Sequence, residues 1–182
     1  VHGVGGTVGA ILTGVFATLP EPVLGVRMKE QLAAASDENE YALTRLAYAA
    51  VAETAIHAYL KQISGDITIQ PLNRINTDMH RRDESAHGTA FLEITRMVFN
   101  SLDARQQAFF KRVLGAALHA YTERDLSLWV SVLRYLPIDG QEAIIERLEQ
   151  AVPAKRVSKD YTGLVTLLDQ LGIRSEIDFQ FG

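Results

Sequence analysis

The 182-residue sequence contains no cysteine, one tryptophan and five prolines. The absence of cysteine excludes disulfides, thiolate metal sites and cysteine nucleophiles, so any bound metal must have nitrogen and oxygen ligands. There is also no basic tract, and the formal net charge is −4. Nucleic acid is therefore not predicted as a partner. The sequence has no strand-like alternation of useful length and no internal repeat, which predicts an all-α fold.

The first 19 residues, VHGVGGTVGAILTGVFATL, carry no charge. A run of this length and glycine content is typical of one transmembrane helix, or of a buried apolar hairpin. No Lys or Arg precedes it, which argues against a signal peptide. The following Leu-Pro-Glu-Pro interrupts regular structure. We therefore predict an apolar glycine-rich segment at 1–19, a linker with a short helix at 20–36, and a helical domain at 37–182.

Apolar spacing and boundary residues predict a series of helices after the Leu-Pro-Glu-Pro sequence. One long helix should begin near Asp37 and end at about Ile63, with Gly65 as its stop. The middle of this helix, from Leu46 to Ala58, is apolar or small on almost all sides, which indicates burial on most sides. The other predicted helices span residues 23–35, 71–100, 103–136 with a break near 122–125, 141–151 and 161–171.

Three side chains able to bind a metal recur along the second long helix. His80, Glu84 and His87 are separated by four and three residues. Because a helix advances about 100° per residue, the three side chains lie within roughly 60° of one another. Two imidazoles and a carboxylate suit iron, manganese or zinc. The alternative interpretation is a solvated polar face that contains histidines.

Glu53 lies among alanine, valine and isoleucine in the middle of the first long helix. A carboxylate there is costly unless it binds a metal or forms a salt bridge, for which Arg81 and Arg82 are the candidates. Di-metal bundles use one Glu from each of two helices and a Glu-x-x-His pair from each of two others. Glu53 and Glu84-x-x-His87 provide half of that set. The short turn between their helices makes the helices antiparallel neighbours, so Glu53 can face Glu84.

The stretches AAVAETAIHAYL, DITIQPLNRINTDMHRRDESAHGT, RVSKDYTG and IDFQF resemble the second half of the di-iron arylamine N-oxygenases. The resemblance covers about residues 27–182. It implies a ferritin-like di-iron helical bundle that is incomplete, consisting of the second half of the bundle and the C-terminal helices. It implies Asp83 as a residue that orients a ligand from outside the site. The metal ligands implied by the resemblance are Glu53, His80, Glu84 and His87.

The resemblance also implies a chemistry. Two iron ions in the complete site and O2 as co-substrate would oxidise an aromatic amine to hydroxylamine, nitroso and nitro products, with electrons from an external donor. Lys159 occupies the position where the family has an arginine for the substrate carboxylate. A lysine binds a carboxylate without the bidentate fork of arginine. The expected location is cytoplasmic, with membrane association only if residues 1–19 insert.

The chain lacks the other half of the ligand set. Its only carboxylates before residue 37 are Glu21 and Glu30, and neither begins a Glu-x-x-His pair. We therefore expect fewer than two irons per chain, with a homodimer or a further segment completing the site. One alternative is an inactive truncated or fused helical module. Another is an ammonium transporter fragment, since residues 1–18 resemble a pore-lining transporter segment. A hydrolytic zinc site is also open, although the His-Glu-x-x-His order is absent.

Overall fold

The computed structural model describes residues 21–135, 138–151 and 160–181. Within these ranges the chain forms seven α-helices and one 3₁₀ turn, and no strand. The helices are α1 Val23–Ala33, α2 Glu38–Gly65, α3 Pro71–Ser101, α4 Ala104–Thr122, α5 Ser127–Tyr135, α6 Gln141–Gln150 and α7 Thr162–Gln170, and the 3₁₀ turn is Arg174–Glu176. The predicted all-α fold class is confirmed. The predicted segment at 1–19 lies outside the described residues.

Two of the long helices begin after residues whose side chains cap them. Asp37 accepts a hydrogen bond from the backbone N–H of Glu40 at 2.8 Å and so caps α2. Asp103 caps α4 in a reciprocal arrangement with Gln106. Pro71 occupies the first turn of α3, where its missing N–H has no helical partner to lose. These local features explain why α2, α3 and α4 begin within a residue of the predicted positions.

The predicted break after Thr122 is also confirmed, because α4 ends there and α5 begins at Ser127. Asp125 lies in the intervening turn and accepts hydrogen bonds from the backbone N–H groups of Ser127 and Val23, at 2.9 and 2.8 Å. The same carboxylate therefore caps α5 and holds the start of α1. These contacts lower the pKa of Asp125 below its ordinary value, although its partial burial acts in the opposite direction.

Helix α2 is the central helix of the described structure. It packs against α3 on one side and α4 on another, and α1 packs on α2 and α4. No residue from Leu46 to Ala58 is exposed, as the sequence predicts. The largest buried core side chains come from α2, α4 and α7: Val51, Phe110, Val113, Leu114, Leu118, Leu164 and Leu168. Helix α2 therefore packs against α4 on one side and against α3 on another.

Helices α2 and α3 form an antiparallel hairpin with a five-residue turn between Gly65 and Pro71. The Asp66 side chain accepts hydrogen bonds from the backbone N–H and hydroxyl of Thr68 within the turn. Helix α3 makes its main contacts with α2 and a smaller contact with α7. Among the described helices, none is both long enough and apolar enough to span a membrane. The hairpin is the element that places the predicted metal ligands.

Candidate metal centre

The middle of α2 faces the middle of α3 across three ionisable side chains. The Nδ1 atom of His87 lies 3.4 Å from Glu53 Oε2 and 3.4 Å from Glu84 Oε2. One ligand atom from each of these residues falls within 4.8 Å of the other two. Glu84 is buried, whereas Glu53 is half-buried and His87 is exposed. Glu84 is therefore enclosed between α2 and α3, whereas solvent reaches the group from the side of His87.

His80 joins this group indirectly. Its Nε2 atom lies 2.7 Å from Glu84 Oε1, and its side chain is 53% exposed. The hydrogen bond fixes the orientation of the Glu84 carboxylate and leaves Glu84 Oε2 directed at His87 and Glu53. Of the four ligands implied by the resemblance, three converge, and the fourth, His80, forms a hydrogen bond with Glu84 among the described residues.

The remaining predicted site residues are not part of the group. Asp83 is exposed and makes no hydrogen bond or ion pair with any residue that the structure describes. Lys159 lies outside the described residues. Arg81 and Arg82 both pair with Asp78, at 2.8 and 2.9 Å. Neither arginine forms the salt bridge to Glu53 that the sequence left open.

The two carboxyl groups differ in their affinity for a proton. Burial raises the pKa of Glu53, and the neighbouring Glu84 carboxylate raises it further against the opposing effect of His87. Burial acts in the same direction on Glu84, but Glu53, His80 and His87 together outweigh it and lower the pKa of Glu84. Because two adjacent carboxylates disfavour each other's ionised form, Glu53 is the carboxyl group of the pair that gains a proton more readily as the pH falls.

The donor set fits a first-row transition metal. Glu53 Oε2 and Glu84 Oε2 are both buried and have no hydrogen-bond partner among the described residues. Buried carboxylate oxygens without a partner are rare and costly, and a cation between them would satisfy both. Two carboxylates and an imidazole are the nitrogen and oxygen ligands that iron, manganese and zinc accept. These residues can therefore hold a metal ion at the α2–α3 interface.

Gly88 allows the two helices to approach each other at this point, and sequence reasoning missed it. A Cβ atom on Gly88 would lie 3.2 Å from the backbone oxygen of Glu53. Gly88 is the single glycine of α3 and directly follows His87. A glycine inside a helix costs about 1 kcal/mol relative to alanine, which indicates a packing reason for its presence. A single glycine inside a predicted helix, next to a predicted ligand, is visible in the sequence and could have indicated this close approach.

Replacing Gly88 by alanine should weaken metal binding with little change in stability. The new methyl group would push α3 away from Glu53 by a few tenths of an ångström. We expect iron affinity to fall by about tenfold, as when a group that supports a ligand is removed. The gain in helix propensity offsets most of the overpacking cost, so the melting temperature should change little. Anaerobic Fe(II) titration and thermal unfolding measure the two effects.

Gly65→Ala is the matched control, because nothing lies within 4 Å of the methyl group that it adds. Equal iron affinity in the Gly88→Ala and Gly65→Ala variants would contradict a role for Gly88 in setting the distance between the helices.

The fold and the site together define a protein that is all-helical in its described residues and has a candidate carboxylate–histidine metal site. The family described as P-aminobenzoate N-oxygenase AurF matches residues 8–172. The chain belongs to this family, which confirms the resemblance drawn from the sequence. The match begins inside the segment that also resembles an ammonium transporter.

Among the relatives, the 4-aminobenzoate N-oxygenase of Streptomyces thioluteus is 35% identical over 162 residues. The aligned region is 89% of this chain and 48% of that protein. The chain therefore spans about half the length of the relative that it matches.

Proposed function

We propose that this chain contributes one half of the di-iron site of an arylamine N-oxygenase. The observation that carries the proposal is the convergence of Glu53, Glu84 and His87, with two buried carboxylate oxygens that lack partners. In this half-site Glu53 comes from one helix and Glu84-x-x-His87 from its antiparallel neighbour, which is the arrangement of ferritin-like di-metal bundles. His80 would serve as an additional ligand from the open side, one turn before Glu84.

The bound iron ions would supply the electron transfer to O2 by which an aromatic amine is oxidised, with an external donor replacing the electrons. The residues of this chain would neutralise and orient the metals. A carboxyl group must be ionised to bind a cation, and the pKa of Glu53 is raised, so metal affinity should weaken as the pH falls. Before a metal binds, His80 would keep Glu84 in the orientation in which its second oxygen faces His87. We propose an aromatic amine as substrate, and Lys159 remains a prediction for binding its carboxylate.

The half-site cannot hold a complete di-iron centre. The bundle needs a second lone glutamate and a second Glu-x-x-His pair. Within the described residues, the group that could bind a metal consists of Glu53, Glu84 and His87. The isolated chain should therefore bind fewer than two irons, and it should N-oxygenate an amine only when the second half of the ligand set is present.

Anaerobic loading with Fe(II), followed by measurement of iron per chain, tests the proposal. We expect about one iron per chain or less. Two tightly bound irons in a monomer would overturn the half-site. No binding at millimolar Fe(II) would favour the alternative of a non-catalytic helical module. The second test supplies an aromatic amine, a reductant and isotope-labelled O2 to the iron-loaded protein; labelled hydroxylamine, nitroso or nitro product supports the reaction class.

A further inference from the structure

The converging atoms of the metal centre are spaced like the ligands of one four-coordinate ion. His87 Nδ1 lies 3.4 Å from Glu53 Oε2 and 3.4 Å from Glu84 Oε2. Bonds of about 2.0 to 2.2 Å to a tetrahedral Zn(II) ion place neighbouring ligand atoms about 3.3 to 3.6 Å apart. An octahedral ion with bonds of the same length requires about 2.8 to 3.1 Å between neighbouring ligands. Both measured separations fall in the tetrahedral range.

The contacts between His87 and the two carboxylates are not hydrogen bonds. Glu53 Oε2 and Glu84 Oε2 are buried and have no hydrogen-bond partner among the described residues. One oxygen of each carboxyl group lies within 4.8 Å of the other, although like charges repel. A divalent cation between the three atoms would pair with both oxygens and accept the lone pair of the imidazole. It would also draw the two carboxylates closer together.

Solvent can reach the fourth position of such an ion. The His87 side chain is 56% exposed, so the group is accessible from that side. His80 does not fill the position, because its Nε2 atom lies 2.7 Å from Glu84 Oε1, the oxygen that does not face His87. Three protein ligands and one open position are the arrangement of catalytic zinc sites. A hydrogen bond that orients a ligand from outside is also usual there.

We infer that Glu53, Glu84 and His87 form a site for a single zinc ion, with water as the fourth ligand and His80 orienting Glu84. Zn(II) has no geometric preference from its d electrons, so the spacing of the ligands favours it over six-coordinate Fe(II) or Mn(II). This inference goes beyond the proposed function. It uses the same side chains, but zinc does not change its oxidation state and would act on bound water as a Lewis acid. Zinc would thus compete with iron for these ligands.

The first test compares metals on the full chain after a chelator has removed any bound metal. We expect one Zn(II) per chain, bound at least about tenfold more tightly than Fe(II) under anaerobic conditions. Co(II) in the same site should give the intense visible absorption of a four-coordinate ion. Added thiocyanate should shift these bands by replacing the water. Weak octahedral Co(II) bands, or two Zn(II) ions of equal affinity per chain, would overturn the inferred site.

Three histidine variants test the assigned roles. His87→Ala removes the nitrogen ligand from an exposed position and should lower zinc affinity by at least about 100-fold. His80→Ala removes the support of Glu84 and should lower the affinity by about tenfold, with Co(II) still four-coordinate. His119→Ala is the control, because His119 is an exposed histidine of α4 that contacts the backbone oxygen of Asp178. It should leave zinc affinity unchanged.

Thermal unfolding without metal checks that each histidine variant is folded. Equal zinc affinities in His87→Ala and His119→Ala would overturn His87 as a ligand. A loss in His80→Ala as large as that in His87→Ala would overturn the open fourth position, because His80 would then be a ligand itself.

The zinc site and the proposed function fail in different ways. Fe(II) bound as tightly as Zn(II), or more tightly, would overturn the zinc inference and leave the proposed function standing. One tetrahedral Zn(II) per chain with no binding of millimolar Fe(II) would support the zinc site and overturn the proposed function.

Discussion

Replacing Glu84 by alanine should abolish tight iron binding without unfolding the chain. Glu84 is the carboxylate that contacts the other predicted ligands, because one oxygen accepts a hydrogen bond from His80 and the other faces His87 and Glu53. Removing a residue that merely supports a ligand costs 10- to 100-fold in metal affinity. Loss of Glu84 would remove a proposed ligand and release its orienting partner, so we expect iron affinity to fall by at least about 100-fold.

The fold should tolerate this change because Glu84 stabilises it little. Its Oε2 atom is buried without a hydrogen bond, next to a second carboxyl group. Deleting the carboxyl group removes its hydrogen bond with His80 but also relieves the desolvation of its unpaired oxygen and the repulsion by Glu53, so the melting temperature of the metal-free variant should change little. A large fall in melting temperature would contradict this account.

The control for Glu84→Ala is Glu93→Ala on the same helix. Glu93 is exposed and pairs with Arg96 at 2.7 Å, outside the metal group. Its removal should leave iron affinity unchanged and cost less than about 1 kcal/mol, since exposed ion pairs contribute little. Isothermal titration with Fe(II) under anaerobic conditions compares the two variants. Equal affinities in both variants would rule out Glu84 as a ligand.

The sequence predicts the helices well because their ends depend on local chemistry. Asp37 and Asp103 can cap a helix whatever the rest of the chain does, and Pro71 can begin one. The antiparallel pairing of α2 with α3 follows from the short turn between them. The facing positions of Glu53 and Glu84 follow from helical periodicity once the pairing is known. These predictions required no knowledge of distant contacts.

The finer geometry of the site depends on distances that periodicity does not specify. The sequence predicts that His80, Glu84 and His87 share a stripe, but not that His80 forms a hydrogen bond with Glu84 and lies outside the group that converges with Glu53. It left Arg81 and Arg82 open as partners of Glu53, whereas Asp78, three and four residues before them, binds both. Local pairs within one helix form more readily than pairs between helices.

The second prediction with a large effect concerns the support of the site rather than its ligands. Leu118 lies on α4, is fully buried, and belongs to the core cluster that includes residues of α2. Leu118→Ala should reduce the free energy of unfolding by about 2 to 5 kcal/mol, because it removes buried methyl groups and leaves a cavity. For a domain of ordinary stability, about 5 to 15 kcal/mol, this is a large fraction.

Urea unfolding at fixed chain concentration measures this loss, and fixed concentration matters if the chain associates. Ile67→Ala is the control, since an 83% exposed side chain should contribute about 0.5 kcal/mol or less. Val113→Ala, at another fully buried position of α4, removes fewer atoms and keeps the test valid if Leu118→Ala fails to fold. An unfolding free energy of Leu118→Ala equal to that of Ile67→Ala would contradict the assigned core.

Iron binding by the folded Leu118→Ala variant then distinguishes an effect on the stability of the fold from an effect on the metal site. Glu53 belongs to α2, which packs against α4 on one side and against α3 on another. A cavity at the core position of Leu118 on α4 should lower stability. It should leave the Glu53–Glu84–His87 contacts in place, because these lie between α2 and α3. Glu84→Ala should have the opposite effect, losing iron and keeping stability. If Leu118→Ala lost iron while still folded, the ligand geometry would depend on the packing of α4.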